Sequence, residues 1–176
     1  LFRTREAAEV LGGLYKERML PDFNKAVLYA PTHRDGEEIR LFPFWDHDSE
    51  ALTEFLEREK ILLCIRMHSF VGSAGHPGQA VCGRGDARLP DSAWILWLGE
   101  ERAEDVMEVL DVFDLLITDY SSIYIDFLLT GKPMLFLPYD KKEYLQGRGL
   151  NFPYGRVTPG PKPDTFKGFC EQAKGL

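Results

Sequence analysis

Five short, unbroken apolar runs punctuate this chain: Ala26-Val-Leu-Tyr-Ala30, Ile61-Leu-Leu-Cys-Ile65, Trp94-Ile-Leu-Trp-Leu98, Leu115-Leu-Ile117 and Met134-Leu-Phe-Leu137. A strand with one wet face alternates apolar and polar residues, and these runs do not. Unbroken runs suit strands buried on both faces, as in a parallel sheet whose crossover helices cover both sides. Helical periods fill the intervals. A first helix is expected from Thr4 to Met19, ending before Pro21. Leu52, Phe55 and Leu56 share a face behind an N-cap at Asp48 or Ser49, and Val106, Val109, Leu110 and Phe113 follow the i, i+3, i+4, i+7 pattern. Ser122 to Thr130 reads as a helix stopped by Gly131 and Pro133, and Phe166, Phe169, Cys170 and Ala173 form a last one after Asp164. Strand–helix alternation at this spacing predicts an α/β fold with a doubly wound, mostly parallel sheet. Two glycine- and proline-rich stretches, Ser69 to Ser92 and Gly147 to Pro163, read as long loops.

The 176 residues fit one domain. A chain of this size buries roughly 70% of its unfolded surface and needs no disulfide staples. With 21 Lys and Arg against 28 Asp and Glu the formal charge is −7, which argues against a nucleic-acid partner. No apolar run approaches the roughly 18 residues of a membrane span. Cys64, Cys82 and Cys170 are odd in number and widely spaced, which suggests reduced thiols in a cytoplasmic setting. No signal peptide is visible, and a start at Leu1 suits a piece of something longer.

In doubly wound sheets ligands bind beyond the carboxyl ends of the strands. That rule selects Pro31-Thr-His-Arg-Asp35, Arg66-Met-His68, Thr118-Asp-Tyr-Ser-Ser122 and Pro138-Tyr-Asp140. In the third, a strand runs through Asp119 and Tyr120 into Ser121, Ser122 and a helix. Unpaired amides at that helix start, with two hydroxyls, suit a phosphate; plain capping by Ser121 is the competing reading. Asp126 lies one turn on in an otherwise apolar stretch, so it should be partnered or face a cleft, unless it only compensates the helix dipole. Arg66 and His68 end a buried strand, where a cation and an imidazole could neutralise a diphosphate or move a proton. A core ion pair for Arg66 and a loop cap for His68 are the competing roles. His33-Arg34-Asp35 precedes Gly36 and also reads as a turn.

Other patterns are weaker. Cys64, His68, His76 and Cys82 lack the close pairing of a zinc site. Gly72, Gly75 and Gly78 are followed by no helix, so they do not make a P-loop. Arg84-Gly85-Asp86 reads as a solvated loop cluster, and no nucleophile elbow supports a Ser-His-Asp triad.

At these same positions the sequence resembles the CDP-glycerol glycerophosphotransferases, the teichoic-acid and capsule polymerases and primases. The resemblance lies in Val27 to Gly36, Ile65-Arg-Met-His68, Leu116 to Phe127 and Gly131-Lys-Pro133. Tyr139-Asp140, Arg148-Gly149 and Thr158-Pro-Gly-Pro161 follow in order. It implies the C-terminal, Rossmann-like, nucleotide-binding half of a GT-B architecture. It implies that Pro31, Thr32, Arg66, Met67, His68, Ser121, Ser122 and Asp126 contact CDP-glycerol or CDP-ribitol. Arg34, Asp119 and Arg148 are further candidates, and His68 is the catalytic base unless a histidine of an N-terminal domain, absent here, serves. The implied reaction passes a polyol phosphate to a hydroxyl of a lipid-linked polyol-phosphate acceptor, with CMP leaving. Stabilisation of phosphoryl charge would come from Ser121, Ser122 and Arg66, with Arg34 and Arg148 offsetting the acidic chain. No carboxylate cluster calls for a tightly held cofactor; a loosely bound Mg²⁺ is compatible. The implied setting is the inner face of the cell membrane, reached through regions outside this chain. The Gly-rich stretch from Phe70 to Asp91 departs from the family pattern. Two other readings stay open: a GT-B glycosyltransferase domain using a UDP- or GDP-sugar, and a receiver-like signalling module. The latter needs acidic residues where the first strand instead ends in Pro31-Thr32.

Overall fold

The computed structural model describes residues 2–32, 34, 39–67, 81–83, 88–147, 149–150 and 152–176. Among these residues seven strands appear: β1 (Lys25–Ala30), β2 (Arg40–Leu41), β3 (Ile61–Ile65), β4 (Val81–Cys82), β5 (Ile95–Trp97), β6 (Leu115–Thr118) and β7 (Met134–Phe136). Five form one parallel sheet in the order β5-β3-β1-β6-β7. The chain winds outward from β1 in one direction, then returns to β1 and winds outward in the other. The doubly wound class expected from the apolar runs is therefore the one observed, and its topological switch point lies between β1 and β6.

Each strand feeds two cores. Val27 and Tyr29 of β1 face one, and Ala26, Leu28 and Ala30 face the other. On the first face lie helix α2 (Ser49–Arg58), with Leu52, Phe55 and Leu56, and helix α6 (Phe166–Gly175), with Phe166, Phe169 and Ala173. On the second lie helix α1 (Phe2–Leu14), with Ala7 and Leu11, and a 3₁₀ helix, Val106–Val112, with Val109 and Leu110. Helix α3 (Ile123–Phe127) covers the same face with Ile123 and Phe127. Cys64 belongs to one core and Cys82 to the other, so the two thiols cannot share a metal. Burial raises both thiols, that of Cys82 to about 12.

Caps follow the sequence in part. Asp48 caps α2, its carboxylate accepting from the Glu50 and Ala51 amides at 2.9 and 3.1 Å. For α6 the cap is Thr165, which accepts from Gly168 at 3.0 Å. The segment read as an α-helix over 106–113 is instead 3₁₀. Val106, Val109 and Val112 recur every third residue, so a three-residue turn sets them in line. The helix expected over 122–130 is shorter: α3 gives way to a 3₁₀ turn, Leu128–Thr130, closed by left-handed Gly131 at φ 66°.

Three features were not anticipated. β2 and β4 pair in a small parallel sheet, one strand coming from the region read as a Gly-rich loop. Helix α4 (Lys141–Gly147) precedes the second long loop, and helix α5 (Tyr154–Val157) lies within it. Thr158-Pro-Gly-Pro161 then runs along the outer edge of β7, where the Pro161 carbonyl accepts from the Phe136 amide at 3.0 Å. The approach is so close that a Cβ on Gly160 would stand 2.0 Å from the Met134 carbonyl oxygen.

Candidate donor-binding cleft

Beyond the carboxyl ends of the strands, at the switch point, lies a cleft of about 270 Å³. Ala30 and Pro31 form one wall, where β1 ends. Ser121, Ser122, Ile123 and Asp126 form the facing wall, where β6 turns into α3. Arg66, just past β3, lies between, and the segment after β5 supplies Glu100, Glu104, Asp105, Val106 and Met107. The walls are joined behind by the Thr118 hydroxyl, which donates to the Ala30 carbonyl at 2.7 Å.

Ser121 does not cap α3. Ser122 holds the cap position with a helical backbone, and it makes no side-chain cap bond. The two hydroxyls beside the cleft are thus not spent on the helix. Because α3 has only five residues, its dipole adds little, and polar recognition on this wall falls to the hydroxyls and nearby amides. Asp126 is exposed on the same wall, the cleft-facing option of the two expected for a carboxylate in that stretch.

Arg66 is 7% exposed, and among the described residues its guanidinium meets backbone carbonyls and no core carboxylate. Its guanidinium donates to the carbonyls of Leu98, Ala103 and Glu104 at 3.3, 2.6 and 3.2 Å. Arg66 therefore pins the segment leading to Glu104 and Asp105 while it lines the cleft.

Four of the sequence candidates lie elsewhere. Met67 is buried in the core on the α2 face. Thr32, Arg34 and Asp119 form a closed network behind the cleft. Asp119 Oδ1 accepts from the Thr32 amide at 2.8 Å, the Thr32 hydroxyl at 2.5 Å and the Tyr120 amide at 2.6 Å. Arg34 Nη2 donates to Asp119 Oδ2 at 2.8 Å, Nε to Asp140 Oδ2 at 2.6 Å, and Nη1 to the Thr32 carbonyl at 2.7 Å. The rings of Tyr120, Tyr139 and Tyr144 lie 5.2–5.3 Å from the same guanidinium. Burial alone would lower the Arg34 pKa; the Asp140 hydrogen bond and the Asp119 charge outweigh it and raise the value. The expectation that Arg34 offsets donor charge is therefore corrected: two carboxylates already neutralise it. His68 and Arg148 lie outside the described residues.

Glu100, Glu104, Asp105 and Met107 were missed. They follow the end of β5, so the strand-end rule applied to that strand would have found them. Four carboxylates and one guanidinium line the cleft, which leaves the lining acidic. An anion there must rely on Arg66, the serine hydroxyls and local amides. The carboxylates are suited to accept from hydroxyl or amino groups. Among the described residues, no three His, Cys, Asp or Glu side chains converge as a metal-ligand set.

Comparison with known proteins defines the class. The family model of CDP-glycerol:poly(glycerophosphate) glycerophosphotransferase matches residues 2–175, and the chain belongs to that family. It is 32% identical over 165 residues to a teichoic acid poly(ribitol-phosphate) polymerase of Bacillus spizizenii, covering 93% of this chain and 25% of the relative. It is 35% identical over 157 residues to a teichoic acid glycerol-phosphate primase of the same organism, covering 88% of this chain and 36% of the relative. Among solved structures, a variant of the wall teichoic acid polymerase TagF soaked with CDPG superposes with a TM-score of 0.63 at 27% identity. That likeness covers 97% of this chain and 41% of the solved one. The shared architecture is GT-B, of which this doubly wound sheet is one Rossmann-like half. The chain spans a quarter to just over a third of the length of these two curated relatives.

Proposed function

We propose that this chain is the donor-binding half of an enzyme that transfers glycerol phosphate, or a similar polyol phosphate, from a CDP-activated donor to a hydroxyl of a cell-wall or capsule polymer. The observation that carries the reading is the switch-point cleft, where Pro31, Arg66, Ser121, Ser122 and Asp126 come together in a chain of this family. The diphosphate would take hydrogen bonds from Ser121 and Ser122 and the charge of Arg66. The acceptor hydroxyl would attack the phosphorus bearing the polyol, and CMP would leave. Little covalent work falls to the protein, so positioning and charge stabilisation carry the catalysis. The proton of the attacking hydroxyl would pass to His68 or to a histidine of a partner domain. That domain would also supply the acceptor side and any attachment to the membrane. Among the described residues, no helix is long and apolar enough to cross a membrane.

Chemical-shift titration with CDP and UDP tests the reading. A response at Arg66, Ser121 and Ser122 that is stronger for CDP is expected, with a dissociation constant of about 10 μM to 1 mM for a donor cleft without its partner domain. Equal response to both nucleotides would favour a sugar-nucleotide transferase, and no response would remove the cleft as the donor site.

A further inference from the structure

The cleft walls are short strand-end segments, the Pro31 wall following β1 and the Ser121–Ser122 wall following β6. Beyond the Ala30–Thr118 strand pair and the Thr118 hydroxyl on the Ala30 carbonyl, the walls are joined by the network around Asp119. Its side chain takes the Thr32 amide and hydroxyl, one residue beyond Pro31, and the Tyr120 amide, one residue before Ser121. Its backbone carbonyl takes the Tyr154 hydroxyl at 2.7 Å. Arg34 adds a third strand end, since one guanidinium reaches Asp119, Asp140 beyond β7, and the Thr32 carbonyl. The Asp119 side chain is 3% exposed and the Arg34 side chain 7%.

With one arginine and two aspartates, the network carries a formal charge of −1. Behind an anion site such a charge is electrostatically unfavourable. We propose that Asp119, clamped by Arg34, is a positioning residue that holds the Pro31 wall of the cleft in register with the Ser121–Ser122 wall. Its contribution is geometric, and it acts against the local field. The conservative replacements do not serve. Asparagine has one acceptor oxygen, and its amide nitrogen must face either Arg34 or the Thr32 and Tyr120 donors, whichever way it is turned. Lysine at position 34 cannot span two carboxylates and a carbonyl.

The proposal rests on the reading of the cleft as the CDP-donor site, and its test separates the two. The Asp119→Asn and Arg34→Lys variants of this chain are compared with the parent by amide hydrogen exchange and by titration with CDP-glycerol at low salt. Asp119→Asn should speed exchange at the Thr32 and Tyr120 amides by about tenfold or more while strand amides in β1 and β6 keep their protection. It should also weaken CDP-glycerol binding by about ten- to a hundredfold, although it removes a negative charge. Tighter binding by Asp119→Asn would mean that the charge matters and the geometry does not, and would overturn the proposal. Unchanged exchange at both amides would overturn it whether or not nucleotide binds. If the parent chain does not bind CDP-glycerol while exchange responds as expected, the functional reading fails and the clamp stands. Should Asp119→Asn not fold, Asp140→Asn, at a carboxylate 15% exposed, loosens the same guanidinium from its outer side and is read by the same two measurements.

Discussion

At the scale of single residues, the cleft separates groups that hold the fold from groups left available to a ligand. Ser122 makes no cap bond, so its hydroxyl contributes little to the stability of α3. Ser122→Ala should weaken donor binding by about ten- to a hundredfold, the worth of a hydrogen bond to a charged acceptor, while the melting temperature stays unchanged. Calorimetric titration alongside thermal melts checks both halves of that statement. Asp126 shares the wall but carries the wrong charge for a phosphate. It is suited to accept from a hydroxyl of the donor's polyol. Asp126→Asn should therefore leave CDP affinity unaltered and weaken CDP-glycerol affinity. A drop in melting temperature with both affinities intact would make Asp126 structural.

At the scale of elements, two ends of the fold depend on side-chain and backbone devices that can be removed singly. Helix α2 begins at Asp48, whose carboxylate holds two amides. Asp48→Ala should cost about 1 kcal/mol in a denaturant titration, a loss that Ser122→Ala should not show. The edge strand β7 is covered by the Thr158-Pro-Gly-Pro161 segment. Gly160 is required there by proximity, not by backbone conformation, because a Cβ would meet the Met134 carbonyl oxygen at 2.0 Å. Gly160→Ala must push that segment off β7 and should lower stability by about 1–3 kcal/mol. The β6–β7 end of the sheet should show the loss first in hydrogen exchange. Equal stability of Gly160→Ala and the parent would show that the segment adjusts freely.

At the scale of the whole molecule, the cleft opens beyond the strand ends, and the chain spans only a quarter to just over a third of these curated relatives. Transfer requires donor and acceptor held together in a near-attack arrangement, which a donor cleft without the acceptor domain does not provide. The isolated chain should bind CDP-glycerol yet transfer no glycerol phosphate to a lipid-linked acceptor in a radiolabel assay. Robust turnover by the chain alone would contradict the division of labour proposed here.

The order and type of the main elements were legible from the sequence because each was encoded locally. Unbroken apolar runs such as Ile61–Ile65 can be satisfied only by burial on both faces, and Asp48, Gly131 and Pro133 mark their boundaries by short-range chemistry. The strand-end rule drew attention to Pro31, Arg66, Ser121 and Ser122, and a carboxylate in an apolar stretch to Asp126; all five line one cleft. What tertiary structure alone decided was the partner of each polar group. Thr32, Arg34 and Asp119 look in sequence like three more ligand contacts, and Asp140 stands at another strand end. Their separations of 85 and 106 residues hide the fact that they satisfy one another. The same holds for the acidic segment after β5, for the pairing of β2 with β4, and for Gly160 against Met134. A residue's chemistry is written in its side chain, but whether a buried charge is free to meet a ligand depends on what the fold has brought beside it.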